Sequence, residues 1–234
     1  MNRAFARNPR GVPTGGQFVQ VRRGEPVVEL EPVDSDGADA GQLVTKQEAF
    51  AHAEVLRSQG IDVRTFDGRP GMECTIDIWV DGRRSDAPDG TPASRSFHRN
   101  DALKFELHMR DGVVHNPTPD VAAERSWYED GTPHQINFVD NGKSQDPDDA
   151  TPACRYFHAN GQVASASFST ADALHDPPSG EPASQEFDDR GNPILSQHYR
   201  KGTPCDPEDG SPGRVSFDRF GRRRERFVSS GGGR

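Results

Sequence analysis

From about Gly82 to Gly232 the apolar, small and turn-forming positions recur every 30 residues. Aromatic residues fall at Phe97, Trp127, Phe157, Phe187 and Phe217. One glycine column runs through Gly82, Gly112, Gly142, Gly202 and Gly232, with Asp172 as its exception. A second runs through Gly131, Gly161, Gly191 and Gly221, with Asp101 as its exception. Beside a Pro-rich loop lies a small column, Ala93, Ala123, Ala153, Ala183 and Gly213, which suggests a close backbone approach. A fixed repeat period constrains the architecture before any local signal does. Alternation predicts, in each unit, a short strand with its aromatic inward, a tight turn at the second glycine column, and a return strand stopping near the first. Glycine supplies the positive φ of such turns, and Asp is among the residues that tolerate it. The aromatic column is the expected core stripe, and Arg95, Arg125 and Arg155 share its face, placed to stack on the rings. The return strand shows two phases: Leu103, Phe105, Leu107 and Met109 take one, Ile136 and Phe138 the other. Its inward face is therefore left open.

The expected fold class is all-β, an elongated antiparallel meander of about five 30-residue β-hairpin repeats with a short N-terminal helix and an extended arm. A β-solenoid with one repeat per coil is the rival. Thr45 and Glu48 form a capping-box pair ahead of Phe50, Ala53, Val55 and Leu56, and Gly60 closes that helix. A partial repeat follows, with Phe66, Gly71 and Gly82, and Thr75–Val80 is the strongest strand by composition. The organisation reads as a basic arm (1–30), an acidic linker (31–44), a helix capping the array (45–60), the hairpin array (61–232) and a tail (233–234).

Composition agrees with a thin array. Only 31% of the 234 residues are hydrophobic, while 24 are Gly and 19 Pro, too few apolar side chains for a filled globular centre. No apolar run approaches the ~18 residues of a membrane helix, and the first residues lack a secretory h-region. Cys74, Cys154 and Cys205 are odd in number and differ in repeat phase, as expected of reduced thiols in a cytosol. The net charge of −9 hides an asymmetry: residues 1–24 carry +5, residues 219–234 carry +5, and the body between carries −19. The candidate binding residues are therefore Arg3, Arg7, Arg10, Arg22 and Arg23 at one end and Arg222, Arg223, Arg224 and Arg226 at the other. Either set suits phosphate or an acidic partner.

Catalytic and metal chemistry find no foothold. The column Ser85, His115, Gln145, His175, Cys205 mixes metal-ligating types, but hairpin neighbours would stand ~9.5 Å apart. Zinc ligands converge at ~2.0–2.3 Å. The loop acids (Asp86 and Asp89; Asp146, Asp148 and Asp149; Asp206, Glu208 and Asp209) lack EF-hand spacing. No nucleophile elbow, zincin, P-loop or dinucleotide fingerprint occurs. The expectation is no enzyme, no catalytic residue, no cofactor and no metal. His98 and His158, one residue past their aromatics, are expected at the surface.

The order of aromatic, glycine, apolar strand and glycine resembles MORN-type repeats. It is more similar still to the MORN-variant and NG-x-x-HREDGPA families of bacterial and viral proteins. Gly112-Val-Val-His115-Asn116 and Asp172-Ala-Leu-His175-Asp176 keep the glycine-like position, the His three on and the polar residue after it. Thr151-Pro-Ala153 and Glu181-Pro-Ala183 keep the PA pair. The resemblance covers roughly residues 66–232 and departs in a longer loop and in Ser85, Gln145 and Cys205 for the His. It implies stacked β-hairpins serving protein or membrane-surface contact without catalytic residues, and some variants are antitoxin-like. Residues 8–18, NPRGVPTGGQF, resemble the opening of proteins encoded by actinobacterial phages and plasmids. The expected function is a non-enzymatic protein-binding or scaffold protein of phage or mobile-element origin, in a bacterial cytoplasm or on a virion. Two alternatives stay open: an inhibitor, antitoxin or nucleic-acid mimic using an acidic sheet, and a nucleic-acid-associated structural protein using the basic termini.

Overall fold

The computed structural model describes residues 43–66, 73–218 and 221–228. The arm, all but the end of the linker, the tail, and with them Arg3, Arg7, Arg10, Arg22 and Arg23, lie outside the described residues. The fold is an all-β meander: twelve strands follow one another in chain order, each antiparallel to the next. Asp62–Phe66 and Cys74–Val80 open the sheet. Five repeats follow, each a first strand and a return strand: Ser94–Phe97 with Leu103–Leu107, Glu124–Trp127 with Pro133–Asn137, Cys154–Phe157 with Val163–Ser167, Ser184–Phe187 with Pro193–Gln197, and Arg214–Phe217 with Arg223–Arg226. Each return strand pairs with the next first strand, as in Phe105↔Ser126 and Leu107↔Glu124. Equivalent columns therefore stand two strand spacings apart, which is the hairpin arrangement and not the solenoid.

The turn between the two strands follows from the second glycine column. Tyr128 N donates to Thr132 O (2.8 Å) and Gly131 N to Tyr128 O (3.0 Å), a tight turn ended by a left-handed residue. That residue has φ of 67° at Asp101, 85° at Gly131, 82° at Gly161, 79° at Gly191 and 72° at Gly221. A bulge accompanies it: Ser96 faces Phe105 while Phe97 faces Leu103, and the same shift recurs at Trp127, Phe157 and Phe187. The extra residue breaks the alternation, which is why sequence periodicity alone left the inward face open. Register puts Glu106 and Ile136 on the face of the arginine column, and Phe105 and Leu107 on the other.

The first glycine column does not stop the return strand. It turns a second, shorter hairpin, such as Met109–Arg110 with Val113–Val114 or Val139–Asp140 with Lys143–Ser144. Both central residues have positive φ: 51° and 84° at Asp111-Gly112, 48° and 77° at Asn141-Gly142. That geometry is the two-residue type I′ turn. The short hairpins are stitched to one another, with Gly142 N donating to Val114 O (2.9 Å) and Gly202 N to Leu174 O (2.7 Å).

The helix spans Lys46–Ser58, with Thr45 Oγ1 accepting from Glu48 N (3.2 Å) and Thr45 N donating to Glu48 Oε2 (2.9 Å). Ala49, Ala53 and Leu56 pack onto Val63, Ile76, Ile78, Phe97 and Leu103. Val55, expected in the buried stripe, is 47% exposed. The aromatic column also needs correction. Phe97 (0% exposed) and Phe157 (8%) are buried, whereas Trp127, Phe187 and Phe217 are half-buried. The cause is coverage: the helix roofs the first hairpins, and a second cluster of Ala122, Ile136, Phe138 and Phe157 fills the middle.

Candidate functional site

The polar side chains that recur with the repeat hold backbone together. Where each short hairpin meets the Pro-rich loop stands an acidic or amide residue: Asp86, Asn116, Asp146, Asp176 or Asp206. Its Oδ1 accepts two backbone N–H groups. Asp86 takes them from Ala93 (2.8 Å) and Met109 (2.9 Å), Asp146 from Ala153 and Ser169 (both 2.8 Å), and Asp176 from Ala183 and Tyr199 (both 2.9 Å). Asn116 does the same toward Ala123 (2.9 Å) and Val139 (2.8 Å), so the acceptor oxygen, not the charge, is the shared feature. The small column is the other half of this clamp. Ala93, Ala123, Ala153 and Ala183 are fully buried. At Gly213 even a Cβ would lie 2.1 Å from the Cys205 carbonyl oxygen.

The Asp/Asn column was missed as a column in the sequence, although its 30-residue spacing is as regular as that of the glycines. Burial raises the Asp146 carboxyl above its ordinary range, against the lowering by the Ser169 and Ala153 N–H groups. In two repeats the second carboxylate oxygen meets an imidazole: His108 Nδ1 lies 2.8 Å from Asp86 Oδ2 and His198 Nδ1 lies 2.9 Å from Asp176 Oδ2.

His98 and His158 are not surface residues awaiting a ligand. Their Nε2 atoms lie 2.8 Å from Trp127 O and 3.0 Å from Phe187 O, one repeat on, and Tyr128 Oη donates to Phe157 O in the same way (2.8 Å). Of the three arginines expected to stack on the rings, Arg125 does so, and the column also forms ion pairs. Glu106, 5% exposed, accepts from Arg95 Nε (2.8 Å) and Arg125 Nη2 (2.9 Å) across three strands. Arg125 also lies over the Trp127 ring at 5.7 Å. Arg155 faces Ile136 and Ala166, and desolvation lowers its pKa.

The column with metal-ligating types is dispersed among the short hairpins: His115 Nδ1 is 3.4 Å from Asp140 Oδ1 and His175 Nε2 is 3.5 Å from Asp146 Oδ2. Of the loop acids, Asp86, Asp146 and Asp206 belong to the clamp, and Glu208 pairs with Arg200 (3.1 Å). Asp89, Asp148 and Asp209 accept bonds within their own loops, and Asp89 also meets His52 Nε2 at 2.8 Å. Burial opposes ionisation at Asp89 and Asp148, but bonds from Thr91, and from Ala150 and Thr151, hold both carboxyls below the ordinary range. Ser211 holds Asp209 low as well. Burial pushes the Cys154 thiol up to about 11.

Of the candidate basic residues, Arg223, Arg224 and Arg226 lie on the last strand of the sheet among the described residues, and Arg222 directly precedes it. All four are exposed. The structure adds Arg214, directly opposite Arg226 on the neighbouring strand. No protein-family model and no curated protein matches the chain.

Proposed function

We propose that this is a non-enzymatic binding or scaffold protein, a MORN-like hairpin-repeat array that offers one face of its sheet to a protein partner. The N-terminal motif supports a phage or mobile-element origin. The observation that carries the reading is one unbroken row of side chains on the face away from the arginine column. It runs from Thr75 through Ser96, Phe105, Ser126, Gln135, Tyr156, Ser165, Glu186, Leu195 and Ser216 to Arg224. Polar residues fill most of that row, with Phe105, Tyr156 and Leu195 spaced along it, and Tyr156 is 40% exposed. Meanwhile the recurrent Asp, Asn and His groups are engaged in fixing one repeat to the next, which makes the row a stiff platform. A photo-crosslinking residue at Tyr156 should capture a protein partner from the native source that the same residue at Val55, on the exposed side of the helix, does not. Equal capture at both positions, or none at Tyr156, would remove the sheet face as the contact surface.

A second reading, an inhibitor or mimic that engages a basic partner, is favoured by Asp89, Asp148 and Asp209. These sit on three separate loops, with carboxyls held low and thus ionised at neutral pH. Under this reading the crosslinks shift from Tyr156 to those loops. No helix among the described residues is long and apolar enough to cross a membrane.

A further inference from the structure

The strand Arg223–Arg226 is the return strand of the fifth repeat, and all four of its residues are exposed. Its inner edge pairs with Arg214–Phe217. On its outer edge no pairing is present among the described residues. In each earlier repeat that edge receives a strand: Pro193–Gln197 receives Arg214–Phe217, with Leu195 opposite Ser216 and Gln197 opposite Arg214. The repeat therefore contains its own template for what Arg223–Arg226 can accept, an antiparallel strand with residues opposite Arg224, Glu225 and Arg226.

The side chains specify the rest. Arg214 stands directly opposite Arg226, and Arg224 is two residues along the same face. Like charges placed opposite each other across a ladder destabilise it. Glu225 does not relieve them, because it points to the other face and pairs with Arg223 at 2.9 Å. Glu186, the nearest acid in the same row, is three strands away, roughly 14 Å at ordinary strand spacing. Charged residues on an edge strand also serve to repel unwanted pairing. That role does not account for Arg214, which lies on an interior strand.

We propose that this edge takes up an extended acidic peptide segment of a partner protein as an added strand, with carboxylates on alternate residues opposite Arg224 and Arg226. Backbone N–H and C=O groups of the edge would supply the ladder, and the three arginines the charge recognition. Nucleic acid is the less favoured occupant, since it cannot continue a β-ladder and the −19 body repels a polyanion. The proposal rests on the protein-binding reading and places a second, separable contact at the end of the same row.

The test is fluorescence polarisation with the full chain and a labelled synthetic peptide of alternating Glu and Val. Binding should weaken steeply with salt, and should fall about tenfold or more for Arg224→Ser and Arg226→Ser. On the unaltered protein, a peptide with N-methyl groups at alternate residues should lose binding on the methylated edge register, and a peptide with Lys for Glu should not bind. Equal binding of the N-methylated peptide would reduce the site to a charge cluster without strand addition. A single-stranded oligonucleotide that binds more tightly than the peptide would assign the end to nucleic acid. No binding by any peptide would leave the arginines as an edge guard. If the peptide fails while Tyr156 still crosslinks, only the edge is refuted.

Discussion

Replacing Asp146 by Ala should be among the most damaging polar substitutions in the chain, and replacing it by Asn among the mildest. Oδ1 of Asp146 accepts from both Ala153 N and Ser169 N at 2.8 Å. Ala removes both bonds, and a buried N–H left without an acceptor costs about 1–3 kcal/mol. Two of them give a loss of about 4 kcal/mol. With a urea slope of about 3 kcal/mol per M, the unfolding midpoint should fall by about 1.3 M. Asn keeps the acceptor, as Asn116 does in its own repeat, so Asp146→Asn should stay within about 1 kcal/mol of the parent. The pH dependence has a definite sign. Burial raises the folded carboxyl, so the folded state holds its proton more tightly than the unfolded state does. Ionisation then costs stability in the window between the unfolded value near 3.9 and the higher folded value. Asp146→Asn escapes that cost, so its stability relative to the parent should rise across this window and stay level above it. Equal losses for Ala and Asn in urea titrations at neutral pH would show that charge, not the acceptor, matters. No loss for either would show that the clamp carries nothing.

Phe97→Ala should cost about 3–5 kcal/mol, and Phe187→Ala, with a half-buried ring, less than half of that; equal shifts in denaturation midpoint would contradict the uneven burial. Gly161→Val should destabilise far more than Gly161→Asn, because φ is +82° while a Cβ would meet only Thr132 Cγ2 at an ordinary 3.8 Å; equal damage would point to packing. Cys154, half-buried and with its thiol pushed up to about 11 by desolvation, should resist alkylation at pH 8 in the folded protein, and rapid modification would contradict the raised thiol. Amides of Arg223–Arg226 should exchange with solvent faster than those of Leu103–Leu107, and a uniform exchange profile would count against independent end repeats.

The hairpin meander, its period and the capped helix were legible in the sequence because each rests on local chemistry: positive φ at Gly131 and Gly161, the Thr45–Glu48 box, alternation through Thr75–Val80. The short hairpins were not read, although Asp81-Gly82, Asp111-Gly112 and Asn141-Gly142 are the dipeptides that a type I′ turn selects. Their strands are two residues long, too short to show alternation. The bulge at Phe97 reversed the phase of the return strand, so no fixed period could assign Glu106 to the arginine face. The Asp86 column escaped notice because its residue type fits a solvated loop, and only the fold reveals two backbone donors converging on one oxygen. The basic strand was visible as Arg222–Arg226, but its partner Arg214 was not, since their apposition depends on a register that sequence does not state.

Burial and clamping divide the array unequally, and that division bears on where binding can occur. The buried clusters reach from the helix through Leu103 and then to Phe157 and Val163. Beyond them, Phe187 and Phe217 are half-buried, and the fifth return strand is wholly exposed. The backbone clamp, in contrast, persists unchanged, with Asp206 Oδ1 still accepting from Gly213 N (2.8 Å) and Val228 N (2.7 Å). The last repeat is therefore held in register by hydrogen bonds while contributing little apolar burial of its own. In a linear array, stability is shared only between neighbours, so a weakly buried unit that has, among the described residues, one interface depends on that interface. A strand added to its outer edge would supply the second interface that every inner repeat has. It would also place acids opposite Arg224 and Arg226, relieving the place where, among the described residues, like charges oppose each other across the sheet. The end that is weakest in isolation is thus the end where an acidic strand would gain the most.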